Sequence, residues 1–400
     1  MSGRSLLDGL GEITEVGRDR RRGGWSRHLG DDGEVQLREW FRERAARLGL
    51  DVETDRNGNL WAWWGTPGPD AVVTGSHLDS VPGGGEFDGP LGVVSALEAV
   101  ARLKAAGVVP TRPVAVIVFA EEEGSRFGRA CLGSRLMTGD IDPALVRSLH
   151  DAHGVPFDRA AAAAGFDPAQ IGADPEALAR IGLFLELHVE QGRGLIDLDS
   201  PVAVASSILA HGRWRLRFEG EGNHAGATRM RDRRDPLVAA AAGVLEVRTA
   251  AAALDARATV GRIEATPGGT NVIASRAEFW LDARADSDAQ TRDLVSRIAE
   301  QAAAAARAEG CTVEVVEESW SGEVRFDPAL RNRLSAALGV VPALPSGAGH
   351  DAGILAAHVP SAMLFVRNPT GISHAPDELA ELADTVRGVD ALETVLRGLL

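Results

Sequence analysis

Short unbroken apolar runs punctuate this chain: Ala71–Thr74, Val114–Ala120, Leu183–Leu187 and Ala362–Val366. They lack the apolar–polar alternation of half-exposed strands and predict strands buried on both faces, as in parallel sheets. Between them lie stretches of helical period. Residues 1–50 read as helical, with Val35, Leu37, Trp40, Phe41, Ala45 and Leu48 near helical spacing, and Leu91–Ala106 reads as an amphipathic helix. Asp51–Trp64 reads as two extended segments around the turn signal Asn57-Gly58-Asn59. Strands alternating with helices predict an α/β fold with a mainly parallel sheet.

The middle of the chain has another pattern. Trp214–Phe218, Ala258–Ile263, Ala277–Arg284 and Thr312–Val316 read as strands, and Pro236–Leu254 and Asp288–Ala308 as helices. The order β-α-β-β-α-β is that of a split, ferredoxin-like α+β unit. It falls between Leu187 and Ala362, which both belong to the outer sheet. The expected organisation is therefore an insertion, residues 208–320, in a discontinuous larger domain made of 1–207 and 321–400.

Composition narrows the function. Four hundred residues exceed one simple core. A net charge of −15 argues against nucleic acid, because a backbone binder needs a basic face to release counterions. No apolar run approaches the ~18 residues of a membrane span, and Met1–Trp25 has no apolar leader core, so no membrane partner and a cytoplasmic location are expected. Cys131 and Cys311 have no metal or redox spacing, and nothing local would activate Cys131 as a nucleophile. There is no tyrosine, and Lys104 is the one lysine, so tyrosyl, Schiff-base and Walker-type chemistry are disfavoured.

The residues just beyond each apolar run carry the chemistry. After the first come His77, Asp79 and, beyond a glycine-rich loop, Asp88; after the second, Glu121-Glu122-Glu123. After the third come His188, Glu190 and Gln191, and after the fourth Ser373-His374. Ligand sites in open α/β sheets lie beyond the carboxyl ends of the strands, so four such ends delivering imidazoles and carboxylates predict one shared metal site. With no thiol in the set, zinc, manganese or cobalt fits, zinc first. Two ions about 3.5 Å apart need a bridging carboxylate. Asp88 is the candidate bridge, with His77 and His188 on one ion and Glu123 and His374 on the other. Asp79 is expected to accept the other ring N–H of His77, and Glu122 to shuttle a proton. A solvated acidic turn is the competing reading of Glu121–Glu123.

The strings Gly75-Ser76-His77-Leu78-Asp79, Phe87-Asp88-Gly89, Glu122-Glu123-Gly124-Ser125-Arg126-Phe127, Glu186-Leu187-His188-Val189-Glu190-Gln191-Gly192, His224-Ala225-Gly226, Gly347-Ala348-Gly349-His350-Asp351-Ala352 and Ser373-His374 resemble the binuclear-metal M20 peptidase family. Within it they are most similar to the hydantoinase–carbamoylase branch, which holds N-carbamoyl-L-amino-acid hydrolases and allantoate amidohydrolases. The resemblance implies His77, Asp88, Glu123, His188 and His374 as ligands of two divalent ions and Glu122 as general base. It further implies His224 as oxyanion stabiliser, Asn271 and Arg284 as holders of a substrate carboxylate, and Gln191, Gly349 and His350 as pocket lining. The implied activity is cleavage of a ureido C–N bond with release of ammonia and carbon dioxide. The implied assembly is a homodimer through the inserted unit, a dimerisation and lid domain. Formyl-, formimino- or acyl-amino-acid hydrolysis or a dipeptidase activity at the same site, and a non-catalytic binding protein, are the alternatives. Arg229 and Ala274 depart from the pattern at positions where relatives carry proline. Arg213, Arg215 and Arg217 share one strand face, where extra cationic character would favour a highly polar or doubly acidic substrate.

Overall fold

The computed structural model describes residues 2–400, which divide into two compact units: residues up to Ser207 with Arg325–Leu400, and Ile208–Val324. The chain returns to the first unit at Arg325 because the last strand of the second, Thr312–Ser321, runs beyond the alternating stretch Thr312–Val316.

The first unit is built on a nine-stranded sheet. Its centre is Val114–Phe119, Ala71–His77, Ile181–Val189 and Ser361–Val366, side by side and parallel. All four are buried almost throughout, which is why they read as continuous apolar runs. Each fully buried Val or Leu stabilises by about 1.5–3 kcal/mol over an exposed one, so charged residues in such strands need a compensating reason. The hairpin Asp51–Thr54 and Leu60–Trp64 turns at Gly58, whose φ of 82° suits glycine, and adds an antiparallel edge. Val202–Ile208 pairs antiparallel with Ser361–Val366 on the other side. Helix Leu382–Leu399 buries one side, whereas Pro90–Ala105, expected to be amphipathic, is buried on every side from Pro90 to Val100; both join a core with Leu91, Val94, Leu97, Leu185, Leu364 and Leu392.

The expectation of helix across residues 1–50 holds only in part. Helices Ser2–Ile13 and Asp32–Arg47 flank a non-helical strap in which Trp25 exchanges backbone hydrogen bonds with Gly84. Gly17, Gly23, Gly24 and Gly30 have φ between 59° and 77°, which ends the helical path. At Gly24 a Cβ would lie 2.2 Å from the Gly84 carbonyl oxygen, so only glycine lets the strap approach.

The second unit is an antiparallel sheet ordered Thr312–Ser321, Ala210–Glu219, Arg276–Ala285, Arg257–Thr266. Helices Pro236–Ala253 and Asp288–Ala308 supply its core with Trp214, Leu216, Phe218 and Phe279. One helix bears on the expected absence of a membrane span. Pro236–Ala253, with mean hydropathy 1.3 over 18 residues, is long and apolar enough to cross a membrane by length and composition. Alanines dominate that count, and Ala239, Ala240, Val247 and Ala251 are part of the unit's own core. Arg213, Arg215 and Arg217 do share a face, but Asp282, Glu278 and Glu318 pair with them at 2.9–3.8 Å. The surplus of positive charge expected there is neutralised within the sheet.

Candidate metal centre and active site

The parallel strands bring His77, the Glu122–Glu123 turn, His188 and His374 to one rim, and Pro90–Ala105 begins just after Asp88. Asp88 sits at the middle. One oxygen, Oδ1, lies 3.6 Å from His77 Nε2 and 3.2 Å from His188 Nε2. The other, Oδ2, lies 3.3 Å from His374 Nε2, which is 3.5 Å from Glu123 Oε2. His77, Asp88 and His188 thus form one potential ligand set, and Asp88, Glu123 and His374 a second.

The opposite ring nitrogens test whether a cation fits. His77 Nδ1 faces the Asp79 carbonyl oxygen at 3.1 Å, and His188 Nδ1 faces the Val189 carbonyl oxygen at 2.9 Å. A carbonyl only accepts, so each Nδ1 carries a proton, and in the neutral ring Nε2 presents a lone pair. Both Nε2 atoms are buried and have no hydrogen-bond partner among the described residues. A lone pair facing a carboxylate requires a positive charge between them. Two ligands about 2.0–2.1 Å from one tetrahedral ion stand roughly 3.4 Å apart, close to the spacings seen. The donor set fits a divalent ion.

The electrostatics agree. Burial first, then the charge of Asp88, pushes Glu123 up to about 8. Burial, partly opposed by His77 and reinforced by Asp351 and Glu123, raises Glu122 well above the usual carboxylate range. Burial acts to raise Asp88 as well, but the imidazoles of His188, His374 and His77 that face its two oxygens hold it well below the usual carboxylate range. His374 rises to about 9, first through its hydrogen bond to Asp88. So many carboxyl groups away from water form a site short of positive charge.

Asp79 differs from expectation. The Asp79 backbone oxygen, not the carboxylate, is nearest His77 Nδ1; the carboxylate is 3.6 Å away. Its two oxygens instead accept the backbone N–H groups of Glu122 and Glu123 at 3.1 and 3.0 Å. One residue therefore fixes the His77 tautomer through its carbonyl and the acidic turn through its side chain. That turn is not solvated. Glu121 and Glu122 are buried, and Glu121 Oε1 accepts the Arg126 and Phe127 amides. Glu122 Oε1 accepts the Cys131 thiol at 3.3 Å, while Oε2 lies 3.7 Å from His77 Nε2.

Gln191 Nε2 donates to Asp88 Oδ2 at 2.8 Å and lies 3.1 Å from His374 Nε2. His350 is buried, packs its ring 4.6 Å from that of His188 and contacts the Ser346 hydroxyl. Burial and the nearby His188 hold His350 well below the usual imidazole range. Gly349 is exposed beside it. The remaining three predicted residues belong to the second unit. His224 Nδ1 accepts the Gly226 and Ala227 amides, and the Asn271 carbonyl accepts the Ala225 amide. The Arg284 guanidinium is clasped by Asp282 through contacts of 2.7 and 2.9 Å. Glu190, which also lies just past a strand end, caps Gly194 and Leu195 instead of joining the ligands.

Several buried groups have roles that sequence patterns did not assign. Glu186 is wholly buried inside its strand, accepting the Ser76 hydroxyl and the Ala352 amide; a carboxylate within an apolar run was its visible signal. Asp351, the first residue of the short helix Asp351–Leu355, accepts the Ser134 hydroxyl. Glu378 accepts the amides of Phe87 and Asp88 from a segment without periodicity, which gave no signal.

Gly89 sets the approach of loop to ligand. Its φ is 85°, and a Cβ there would lie 2.4 Å from His77 Cε1. Gly89→Ala is expected to displace the His77 ring and to lower metal content and turnover together by at least about tenfold, the outer-sphere scale. Metal analysis of the folded variant checks this; wild-type content would exclude the steric account.

Known proteins resemble this chain in sequence and fold. Residues 73–398 match peptidase family M20/M25/M40. The chain is 36% identical to an N-carbamoyl-L-amino acid amidohydrolase of Geobacillus stearothermophilus, covering 98% of this chain and 97% of that one. It is 34% identical to the allantoate amidohydrolase of Escherichia coli K12, covering 94% and 92%. Among solved structures, a hydantoinase/carbamoylase family amidase from Burkholderia multivorans superimposes with a TM-score of 0.87 at 29% identity, covering 100% and 98%. The family match over residues 73–398 and this likeness over nearly the full length, on a mainly parallel sheet that carries a possible metal-binding cluster, show that the chain belongs to peptidase family M20/M25/M40.

Proposed function

We propose that this protein is a two-metal amidohydrolase that cleaves the ureido C–N bond of an N-carbamoyl-L-amino acid or of allantoate. The main support is Asp88, whose two oxygens face two donor sets, with Glu122 beside one of them. The relatives' names supply the substrate class. His77, Asp88 and His188 would hold one divalent ion and Asp88, Glu123 and His374 the other, with zinc, manganese or cobalt all compatible. Bound there, the ions would polarise the substrate carbonyl and make a water acidic enough to ionise near neutral pH.

The chain's own residues then move the proton. With Oε1 of Glu122 taken by Cys131, Oε2 is the oxygen that accepts a proton from the attacking water. It passes that proton to the leaving nitrogen as the C–N bond breaks. The carbamate left behind collapses to ammonia and carbon dioxide. His224 accepts two amides at Nδ1, so its N–H is on Nε2 and can donate to the developing oxyanion. Arg284, with Asn271, would take the substrate carboxylate in a bidentate clasp like the one Asp282 occupies. Gln191, Gly349 and His350 would line the pocket.

The second unit is read as a ferredoxin-like dimerisation and lid domain. Helix Pro236–Ala253 exposes Leu237, Val238 and Leu245, and the neighbouring sheet ends in the edge strand Arg257–Thr266, which exposes Ile263. An open strand edge beside apolar side chains suits coverage by a second copy. A solution mass of one chain by sedimentation would overturn the dimer. A cytoplasmic setting accords with two free, buried cysteines.

An ammonia-release panel tests the activity. N-carbamoyl amino acids and allantoate are expected to yield ammonia, whereas N-formyl and N-acetyl amino acids and dipeptides yield none. Turnover confined to the latter group would replace this reading with a deacylase or dipeptidase.

A further inference from the structure

We infer that Glu378 is a positioning residue that locks Asp88 and His374 together for the second ion; the inference rests on the two-ion reading above. The Glu378 side chain is buried, and its two oxygens serve different segments. Oε1 accepts the backbone amides of Phe87 and of Asp88 itself, at 3.1 and 2.9 Å. Oε2 accepts the hydroxyl of Ser373, the neighbour of His374, at 3.2 Å. One carboxylate thus ties the loop that presents the shared ligand to the loop that presents His374.

Both loops need outside support. His374 has φ 57°, a left-handed conformation costly for a residue other than glycine, which persists only where its surroundings impose it. Its loop is also held at the base by the buried Asn368, whose side chain bonds the backbone at Thr370, Gly371 and Ile372. Glu378 secures the other end. The Asp88 loop is rich in glycine, and at Gly85 a Cβ would lie 2.2 Å from Glu378 Oε1, so the loop is shaped to admit this side chain. The first ion depends less on the brace. His77 and His188 lie within buried strands, and their Nδ1 atoms are fixed by backbone carbonyls.

The expected consequence is selective. Glu378→Ala should weaken the second ion about 10- to 100-fold, the scale seen when partners of metal ligands are removed, with a smaller effect on the first. Glu378→Gln should recover most of that affinity, because an amide oxygen still accepts both backbone N–H groups. Glu378→Asp keeps the charge but shortens the reach, and should weaken the second ion. The readout is zinc affinity and stoichiometry by competition with a chromophoric chelator, with thermal melting to establish folding. If Glu378→Ala fails to fold, the Asp and Gln variants decide. Two ions bound with wild-type affinity by the Ala or Asp variant would overturn the inference, as would a Gln variant as weak as Asp. His374→Ala separates the underlying reading: if wild type and His374→Ala both bind a single ion with equal affinity, the two-ion site itself is wrong.

Discussion

Glu122→Gln should retain its metal and lose about 10^2- to 10^4-fold in kcat, the range associated with general acid–base catalysis and equal to about 3–5 kcal/mol of barrier. The amide keeps the shape of the side chain but cannot collect a proton from water and pass it to the leaving nitrogen. Its backbone N–H still bonds to Asp79, so the turn that presents Glu123 should stay in place. Metal content equal to wild type, measured beside kcat and KM, would attribute the loss to the proton step. Near-wild-type kcat would remove Glu122 from the mechanism, and a parallel loss of metal would make it a structural residue of the site.

The second large effect is removal of the ions. Chelator-treated protein should lose its hydrolase activity and become less stable as pH rises from about 6 to 9. The folded state raises Glu121 and Glu123 to about 8 and Glu378 to about 7 by burial, and His374 to about 9 through Asp88. Each folded value exceeds the ordinary one, so over this window the folded chain binds more protons than the unfolded chain. Stability then falls with rising pH, and for the carboxyls the loss begins above the ordinary carboxylate range. Asp88, held low, is ionised in both states throughout and does not change the sign. An added ion replaces the missing protons, and at one hundred times its Kd it contributes about 2.7 kcal/mol. Melting curves of stripped protein at pH 6 and 9, with and without zinc or manganese, provide the check. Curves that respond neither to pH nor to the ions would contradict a metal site built on these carboxylates.

The local patterns that did translate into structure have simple causes. The apolar runs marked the central strands because burial on both faces leaves no place for alternation. Asn57-Gly58-Asn59 marked its hairpin because glycine at positive φ closes the turn. The same pattern reading extended helix through residues 14–31, since the demand at Gly24 shows only when the strap meets Gly84, that at Gly23 when it meets Pro376, and that at Gly17 when the strap folds back on Ser26 and Arg27. It also placed the charge of Arg213, Arg215 and Arg217 without their partners, because Glu278 and Asp282 arrive from the neighbouring strand some sixty residues away.

Sequence by itself determined which side chains stand at the strand ends: a histidine or carboxylate lies just past each buried run, and short buried strands present such residues at a common rim. Only the tertiary structure decided how they are used. Asp88 turns its two oxygens to different histidines, Asp79 serves His77 through its backbone and Glu122 and Glu123 through its carboxylate, and Glu378 reaches back across 290 positions to the Asp88 amide. These arrangements depend on the direction of individual oxygen atoms and amides. No periodicity or local spacing encodes that direction, because it is set by the packing of segments that are neighbours only in the folded chain.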